Sequence, residues 1–246
     1  MLPLLLIVSA LAHPGADERR LPDGCDDVAQ MFRRSAALSA ESRLDEAEGE
    51  IHKASGCGAD PAEVALALAD LAVRGSRPAF ALSLLEQITS AEHPMVHVVR
   101  SDALAALDQP SLAADSRLLA IAQLDLVTPD LSLRTAQLLE AARRLPEALS
   151  VLDHGLGDNP SPALQLEAIQ VARQLNPERA LARLEQLPET PTLAQMRAEI
   201  LADLDRPAEA KSALRDALAL AEKSRPSPKQ RELVASLTLA IEGLRP

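Results

Sequence analysis

Two pairs of residues have side chains and a spacing that could do chemistry: Cys25 with Cys57, and His93 with His97. Histidines four residues apart can place both imidazoles on one face of a helix and bind a metal ion. Pro94, however, is suited to the first position of a helix, so we expect His93 to precede the helix and both histidines to be solvated. Two isolated cysteines lack the further ligands of a metal site, and no partner base that would activate a thiol is identified. The sequence therefore predicts no metal site.

No other motif indicates catalysis or a cofactor. The sequence has no Gly-x-Ser-x-Gly elbow, no glycine-rich phosphate loop and no Cys-x-x-Cys pair. The segment Gly155-Leu156-Gly157 is predicted to be a helix-ending turn, because glycine commonly caps helices. We therefore expect a protein that is not an enzyme and that has no catalytic residue, no cofactor and no metal ion.

The two cysteines have a structural interpretation instead. Cys25 lies just before a helical pattern that starts at Asp26-Asp27, and Cys57 lies just after one that ends near Ala54. If these segments form an antiparallel hairpin, its open end brings the two cysteines together. The sequence favours a Cys25–Cys57 disulfide, which would stabilise the fold by roughly 3–4 kcal/mol in the chain-entropy model. The alternatives are two unrelated free thiols or a reactive thiol.

The amino terminus has the pattern of an export signal. An apolar run from Leu4 to Leu11 is followed by Ala10-Leu11-Ala12, which places small residues at the −3 and −1 positions of a cleavage site. We predict a signal peptide over residues 1–12 and a short polar segment over 13–24. The protein would then be periplasmic or extracellular, where a disulfide persists. The alternative is a cytoplasmic protein whose apolar first turn packs on the domain.

The composition argues against several classes of protein. The chain has 246 residues, of which 47% are hydrophobic, and a formal net charge of −11. Phe32 and Phe80 are the only aromatic residues, which argues against base-stacking platforms and against β-sandwiches. The acidic balance makes binding to a nucleic-acid backbone improbable. A soluble, acidic, helical protein remains.

Prolines mark a repeat in this helical chain. They fall into two alternating sets that together start a helix about every 16 residues, because proline fits the first helical position. Capping residues precede many of them, namely Asp60, Thr128, Asn159, Asn176 and Thr190. The first set is Pro61, Pro94, Pro129, Pro160, Pro191 and Pro226, and the second is Pro78, Pro110, Pro146, Pro177 and Pro207. Two helices per unit indicate a repeat of α-hairpins.

Small residues repeat with the same period. A key alanine sits near the start of each second helix, and a small residue stands twelve positions before it. The alanines are Ala47, Ala81, Ala113, Ala148, Ala180 and Ala210, and the earlier small residues are Ser35, Ala69, Ser101, Ala136, Ala168 and Ala198. A larger apolar residue follows four positions after most of these alanines, with Arg117 as the exception.

This pattern resembles that of tetratricopeptide repeats over about residues 28–222. The aromatic residues usual in that family are replaced here by Leu, Ala or Met, so no subfamily is indicated. The resemblance implies an all-α fold, a right-handed α–α superhelix with six helical hairpins over residues 25–225 and a capping helix over 226–246. The apolar spacing from Ser227 to Leu244 is itself that of one amphipathic helix. A helical bundle without repeats is the alternative.

In such a solenoid the first helix of each hairpin lines the concave side. The positions placed there mix aliphatic with acidic side chains and carry little positive charge, so they favour a protein or peptide partner with a basic segment. The predicted partner-binding residues are Glu63, Leu66, Asp70, Val98, Asp102, Leu133, Gln137, Glu140, Ile169, Glu199 and Asp203. Carboxylates that merely keep the groove soluble are the alternative.

Two functions follow from these expectations. The favoured one is a non-catalytic scaffold or adaptor of the bacterial cell envelope that binds a partner on the concave face. The other is an accessory subunit of an envelope enzyme or secretion complex that docks through its convex side or its ends. Neither involves nucleic acid or stable membrane insertion.

Overall fold

The computed structural model describes Cys25 and residues 27–88, 93–124, 126–158, 161–223 and 227–243. The predicted signal peptide, residues 1–12, and the segment 13–24 lie outside the described residues. The described part of the chain is all-α and contains no strand. Its helices are α1 (Val28–Ala40), α2 (Leu44–Gly56), α3 (Pro61–Arg74), α4 (Pro78–Leu85), α5 (Pro94–Ala106), α6 (Pro110–Ala122), α7 (Pro129–Ala141), α8 (Leu145–Asp158), α9 (Pro162–Leu175), α10 (Pro177–Leu184), α11 (Pro191–Asp203), α12 (Pro207–Lys223) and α13 (Pro228–Gly243).

Most helices begin where the prolines predict. Asp60, Thr128, Asn176 and Thr190 cap α3, α7, α10 and α11, each accepting a backbone N–H of the first turn through its side-chain oxygen. Three expected starts are displaced. Helix α8 begins at Leu145, one residue before Pro146, whereas α9 and α13 begin at Pro162 and Pro228, two residues after Pro160 and Pro226. Both stretches read Pro-Ser-Pro, and a serine that precedes a proline is driven to extended backbone. Ser161 has φ −137° and ψ 136°, so a helix cannot run through it.

The turns inside the hairpins share one backbone conformation. Ser42, Ser76, Asp108, Arg143 and Asp205 occupy the same place in five turns, each with φ between 56° and 63°. The N–H of the following residue donates to the carbonyl five residues back, at 2.7–3.0 Å, which closes the first helix. The turn between α9 and α10 differs, since Leu175 stays in α9 and Asn176 is extended. A residue other than glycine with left-handed backbone conformation thus recurs in most hairpins.

Each repeat buries the small residues that the sequence predicts. The six key alanines are all 0% exposed, and the small residues twelve positions earlier are at most 4% exposed. In the third hairpin Ser101 Oγ donates to the carbonyl of Ala113 at 2.7 Å, which ties the two small positions to each other. Close approach of the paired helices therefore depends on residues without bulk.

The helices fall into two compact units, one ending at Leu126 and the other beginning at Val127. In the first unit α1–α2, α3–α4 and α5–α6 pack as hairpins, and α2 and α4 also contact the first helix of the next hairpin. Ile51 and Leu85, four positions after their key alanines, are each 1% exposed in its core. The predicted disulfide is present: Cys25 and Cys57 are joined, with their Cα atoms 5.6 Å apart, at the open end of the first hairpin.

The second unit contains the hairpins α7–α8, α9–α10 and α11–α12, and α13 packs on α12. Leu233, Val234 and Ile241 of α13 pack around the buried Leu237 and against the core of the last hairpin. This arrangement is that of the capping helix expected from the sequence.

Gly155 in the second unit is not in a helix-ending turn, contrary to the sequence-based interpretation. It is buried inside α8, which continues to Asp158. A Cβ atom on Gly155 would lie 2.8 Å from Ser132 Cβ on α7 and 3.3 Å from Leu164 Cδ1 on α9. This glycine therefore permits a close helix crossing.

Candidate interaction surface

The predicted partner-binding residues lie on the first helices of five hairpins: α3, α5, α7, α9 and α11. We call those members of this predicted set that are exposed or half-buried the first-helix surface of each unit. Leu66 and Ile169 do not belong to it, because they are only 7% and 2% exposed and pack in the core. Val98 and Leu133 are half-buried, and Gln137 is exposed. Aliphatic area available to a partner is therefore smaller than the sequence predicts.

In the first unit, two of the predicted carboxylates have arginine partners. Asp70 accepts a hydrogen bond from Arg74 Nε at 2.7 Å within α3. Asp102 on α5 is ion-paired with Arg117 on α6, whose side chain is only 4% exposed. Burial raises the pKa of Asp70 despite Arg74, and repulsion from Asp102 contributes to the rise. Arg117 thus replaces the apolar residue of the other repeats by pairing with a carboxylate on the first-helix surface.

In the second unit, one arginine holds two of the predicted carboxylates. Arg173 on α9 is 2.8 Å from Glu199 Oε2 through Nη1 and 2.5 Å from Asp203 Oδ2 through Nε. Both partners lie on α11, so the guanidinium joins the first helices of two successive hairpins. These ion pairs raise the pKa of Arg173 above its ordinary value.

Glu63 and Glu140 have no ion-pair partner among the described residues. Glu63 is half-buried on α3, and its pKa is raised by burial and by the nearby Asp60. The pKa of Glu140 on α7 is raised by burial and by repulsion from Glu167 on α9. Its one described hydrogen-bond donor is the neutral amide of Gln174, at 3.5 Å. These two glutamates are the carboxylates of the surface whose charge is least compensated.

The first-helix surface therefore has more positive charge beside it than the sequence-based expectation allows. Arginines pair with four of the six predicted carboxylates, and only the Asp70–Arg74 pair had a signal in the local sequence. Arg74 stands four residues after Asp70 on one helix face, whereas the two pairs of Arg173 join successive hairpins. The Arg117–Asp102 pair joins two helices and had no local signal.

The histidines considered as metal ligands have other roles. His93 is the N-cap of α5, as expected, and its Nδ1 accepts the N–H of Met95 at 3.2 Å. The expectation that His97 is solvated is wrong, because this side chain is buried, with its Nε2 3.4 Å from the side-chain nitrogen of Gln123. Within the described ranges, no three histidine, cysteine, aspartate or glutamate side chains are grouped as a metal site would require. None of the helices described is long and apolar enough to cross a membrane.

The fold is that of tetratricopeptide repeat proteins. The chain is similar to YrrB, described as a TPR protein with an unusual peptide-binding site, with 13% identity over 87% of this chain and 92% of that one, at a TM-score of 0.51. It is also similar to PilF of Pseudomonas aeruginosa, with 12% identity over 87% and 97% of the two chains, at a TM-score of 0.57. A third similar structure is the Cut9–Hcn1 hetero-tetramer of the APC/C, with 14% identity over 95% of this chain and 45% of that one, at a TM-score of 0.51. No family model matches the sequence, and no curated protein matches it either.

Proposed function

We propose that this protein is a non-catalytic interaction module of the bacterial cell envelope. It binds a protein or peptide partner that carries a basic segment, and it does so through the first-helix surface. The observation that carries the proposal is the pair of glutamates, Glu63 and Glu140, that lack an ion-pair partner in the described chain and whose charge is disfavoured in the free protein. A lysine or arginine of a partner would relieve that cost.

The similar structures support a role in protein binding. YrrB is described as having a peptide-binding site, and Cut9 is seen in a complex with Hcn1. These similarities concern the fold, so the chemistry of the partner is inferred from the residues of this chain. The disulfide at the open end of the first hairpin supports an oxidising compartment, and with it export.

An accessory subunit that docks through its second helices is the other candidate function. The observation in its favour is that Leu112 and Leu119 on α6 are 54% and 52% exposed and lie seven residues apart, on one helix face. Phe80 on α4 is also 46% exposed. Such side chains favour an apolar contact outside the first-helix surface.

The test compares glutamates on and off the first-helix surface. A partner is first isolated with the disulfide-bonded protein from the envelope fraction of the native host, and its affinity is then measured at low and at physiological salt. Glu63→Gln with Glu140→Gln should weaken binding at low salt by about three- to tenfold, as expected for two partly exposed ion pairs.

The matched control is Glu86→Gln with Glu222→Gln, which makes the same change of charge at one exposed site in each unit. This pair should leave affinity unchanged. Equal affinities for both double variants would show that the glutamates of the first-helix surface do not select the partner. Loss of binding on Leu112→Ser with Leu119→Ser, and not on the glutamate changes, would favour docking through α6.

A further inference from the structure

A groove in the second unit opens between α10, α11 and α12. It consists of two adjoining cavities of about 340 Å³ and 250 Å³, and both are lined by Glu185 and Arg197. The larger cavity is walled by Leu184, Leu187 and Leu193, whereas the smaller has Leu181, Leu201 and Ala213 beside six charged or polar side chains. We call this feature the α10–α12 groove.

The groove lies beside the end of α10. This helix has eight residues, as has α4, whereas the second helices α6, α8 and α12 have 13, 14 and 17. Pro188 disfavours helical backbone at Leu187, so the chain leaves the helix after Leu184. Leu184, Glu185, Leu187 and Glu189, at and after this helix end, line the larger cavity.

The charge around these apolar walls is negative. Arg206 and Glu209 neutralise each other through two hydrogen bonds of 2.6 and 2.7 Å. Glu185, Glu189 and Asp216 are exposed and have no ion pair among the described residues, and Arg197 is the single further cation of the lining. The groove therefore combines one leucine-lined cavity and one more polar cavity with an excess of carboxylates.

We propose that the α10–α12 groove is a second binding site, and that it takes a peptide segment of a protein partner with apolar side chains and basic residues beside them. The two cavities, of about 340 and 250 Å³, lie near the lower end of the size range of small-molecule sites, about 300–1,000 Å³, which suits side chains of a peptide rather than a cofactor. The flanking carboxylates select the basic residues. This inference goes beyond the proposed function, since Leu193, Arg197 and Leu201 follow a different stripe of α11 from Glu199 and Asp203.

The test uses short synthetic peptides as probes of the full disulfide-bonded protein. The first peptide has two leucines next to two lysines on an alanine–serine background. In the matched peptides, either the lysines are replaced by glutamates or the leucines by serines. Binding is measured by fluorescence anisotropy, and the site is mapped by NMR chemical shifts of the labelled protein.

The leucine–lysine peptide should bind and shift the signals of Leu187, Leu193 and Arg197, while both matched peptides bind at least about tenfold more weakly. Glu185→Lys with Asp216→Lys should weaken this binding by about tenfold. Leu187→Ser should also weaken it, but by a smaller factor. Glu222→Lys with Glu242→Lys is the control, because it makes the same change of charge at exposed sites of this unit away from the groove.

Several results would overturn the proposal. One is a failure of the leucine–lysine peptide to bind up to about 1 mM, and another is binding of the glutamate peptide that is as tight as that of the leucine–lysine peptide. Equal loss of affinity in the two lysine double variants would also contradict the proposal. Shifts confined to residues around Glu140 would place the peptide on the first-helix surface instead, which would support the proposed function while excluding this site. Conversely, if the test of the proposed function fails, the peptide experiment still decides whether the α10–α12 groove is a binding site.

Discussion

Single carboxylates on the first helices differ in how well the fold accommodates their charge. Asp102, Glu199 and Asp203 are held by arginines, whereas burial and neighbouring carboxylates raise the pKa values of Glu63 and Glu140. Replacing Asp102 would also remove a partner from the buried Arg117, which is destabilising in its own right. Glu63 and Glu140 are therefore the residues with which to probe the surface.

These two glutamates should make stability depend on pH. Because their pKa values are raised in the folded protein, folding takes up protons between the ordinary and the raised pKa, so stability falls as pH rises through that window. Glu63→Gln with Glu140→Gln should therefore raise the melting temperature at pH 7 and leave it unchanged below about pH 4. Thermal unfolding followed by circular dichroism measures this, with the exposed Glu222→Gln as control. A lower melting temperature at pH 7 would contradict the assignment.

At Gly155 the fold requires a residue without a side chain. Gly155→Ala would place a Cβ atom 2.8 Å from Ser132 Cβ, and we expect a loss of about 1–3 kcal/mol from overpacking. Gly157 offers a matched control in the same helix, since no atom lies within 4 Å of a Cβ added there.

Gly157→Ala should stabilise the protein by about 0.5–1 kcal/mol, because alanine is the better helix former. Denaturant unfolding of the two variants distinguishes these effects. Stabilisation by both substitutions would mean that α7 and α8 can separate enough to accept the methyl group.

At the scale of elements, the hairpins depend on a turn residue with left-handed backbone. Such a conformation is costly for residues with a Cβ, and glycine is absent from all five positions. Ser76→Gly should therefore raise the free energy of unfolding by about 0.5–1 kcal/mol. Ser83→Gly, at an exposed helical position of α4, should lower it by a similar amount of about 0.5–1 kcal/mol. If Ser76→Gly is also destabilising, the turn is held by more than its backbone conformation.

The disulfide joins Cys57, the residue that follows α2, to Cys25, which lies three residues before the start of α1. Its reduction should lower the melting temperature by several degrees, and the double variant Cys25→Ser with Cys57→Ser should reproduce the loss of about 3–4 kcal/mol. Titration of the native exported protein should find no free thiol. Two thiols that react readily under native, non-reducing conditions would contradict the bond.

Much of this element-scale structure could be predicted because its causes are local. Proline at the first helical position, capping side chains and buried alanines act within one hairpin, and these signals placed most helices. In the Pro-Ser-Pro stretches the helices start two residues later than predicted, because the second proline disfavours helical backbone at the serine before it. The Arg117–Asp102 pair and the buried Gly155 depend on side chains that meet between helices, so spacing along the chain did not reveal them.

At the scale of the whole molecule, the described helices form two compact units, and each has its own first-helix surface with one weakly compensated glutamate. Glu63 belongs to the first unit and Glu140 to the second. A partner that uses both must contact both units, so single and double glutamate variants would tell whether one unit suffices.

The predicted export signal can be tested on the whole molecule. We expect the mature protein in its native host to start near His13. Mass spectrometry of the intact protein and of its N-terminal peptide measures this. An intact Met1 in cytosolic protein would contradict both export and the compartment assumed for the disulfide.

The position of the disulfide has a consequence for the order in which the chain matures. Cys25 and Cys57 are separated by 32 residues, so closing the bond requires no residue beyond Cys57. A chain that crosses a membrane amino-terminus first exposes both thiols to oxidation while the later hairpins are still on the other side. In such a chain the first hairpin can be closed covalently before its neighbour arrives, and folding can then propagate from it through the contacts between successive repeats. A chain that stayed in a reducing compartment would lack this covalently closed starting hairpin.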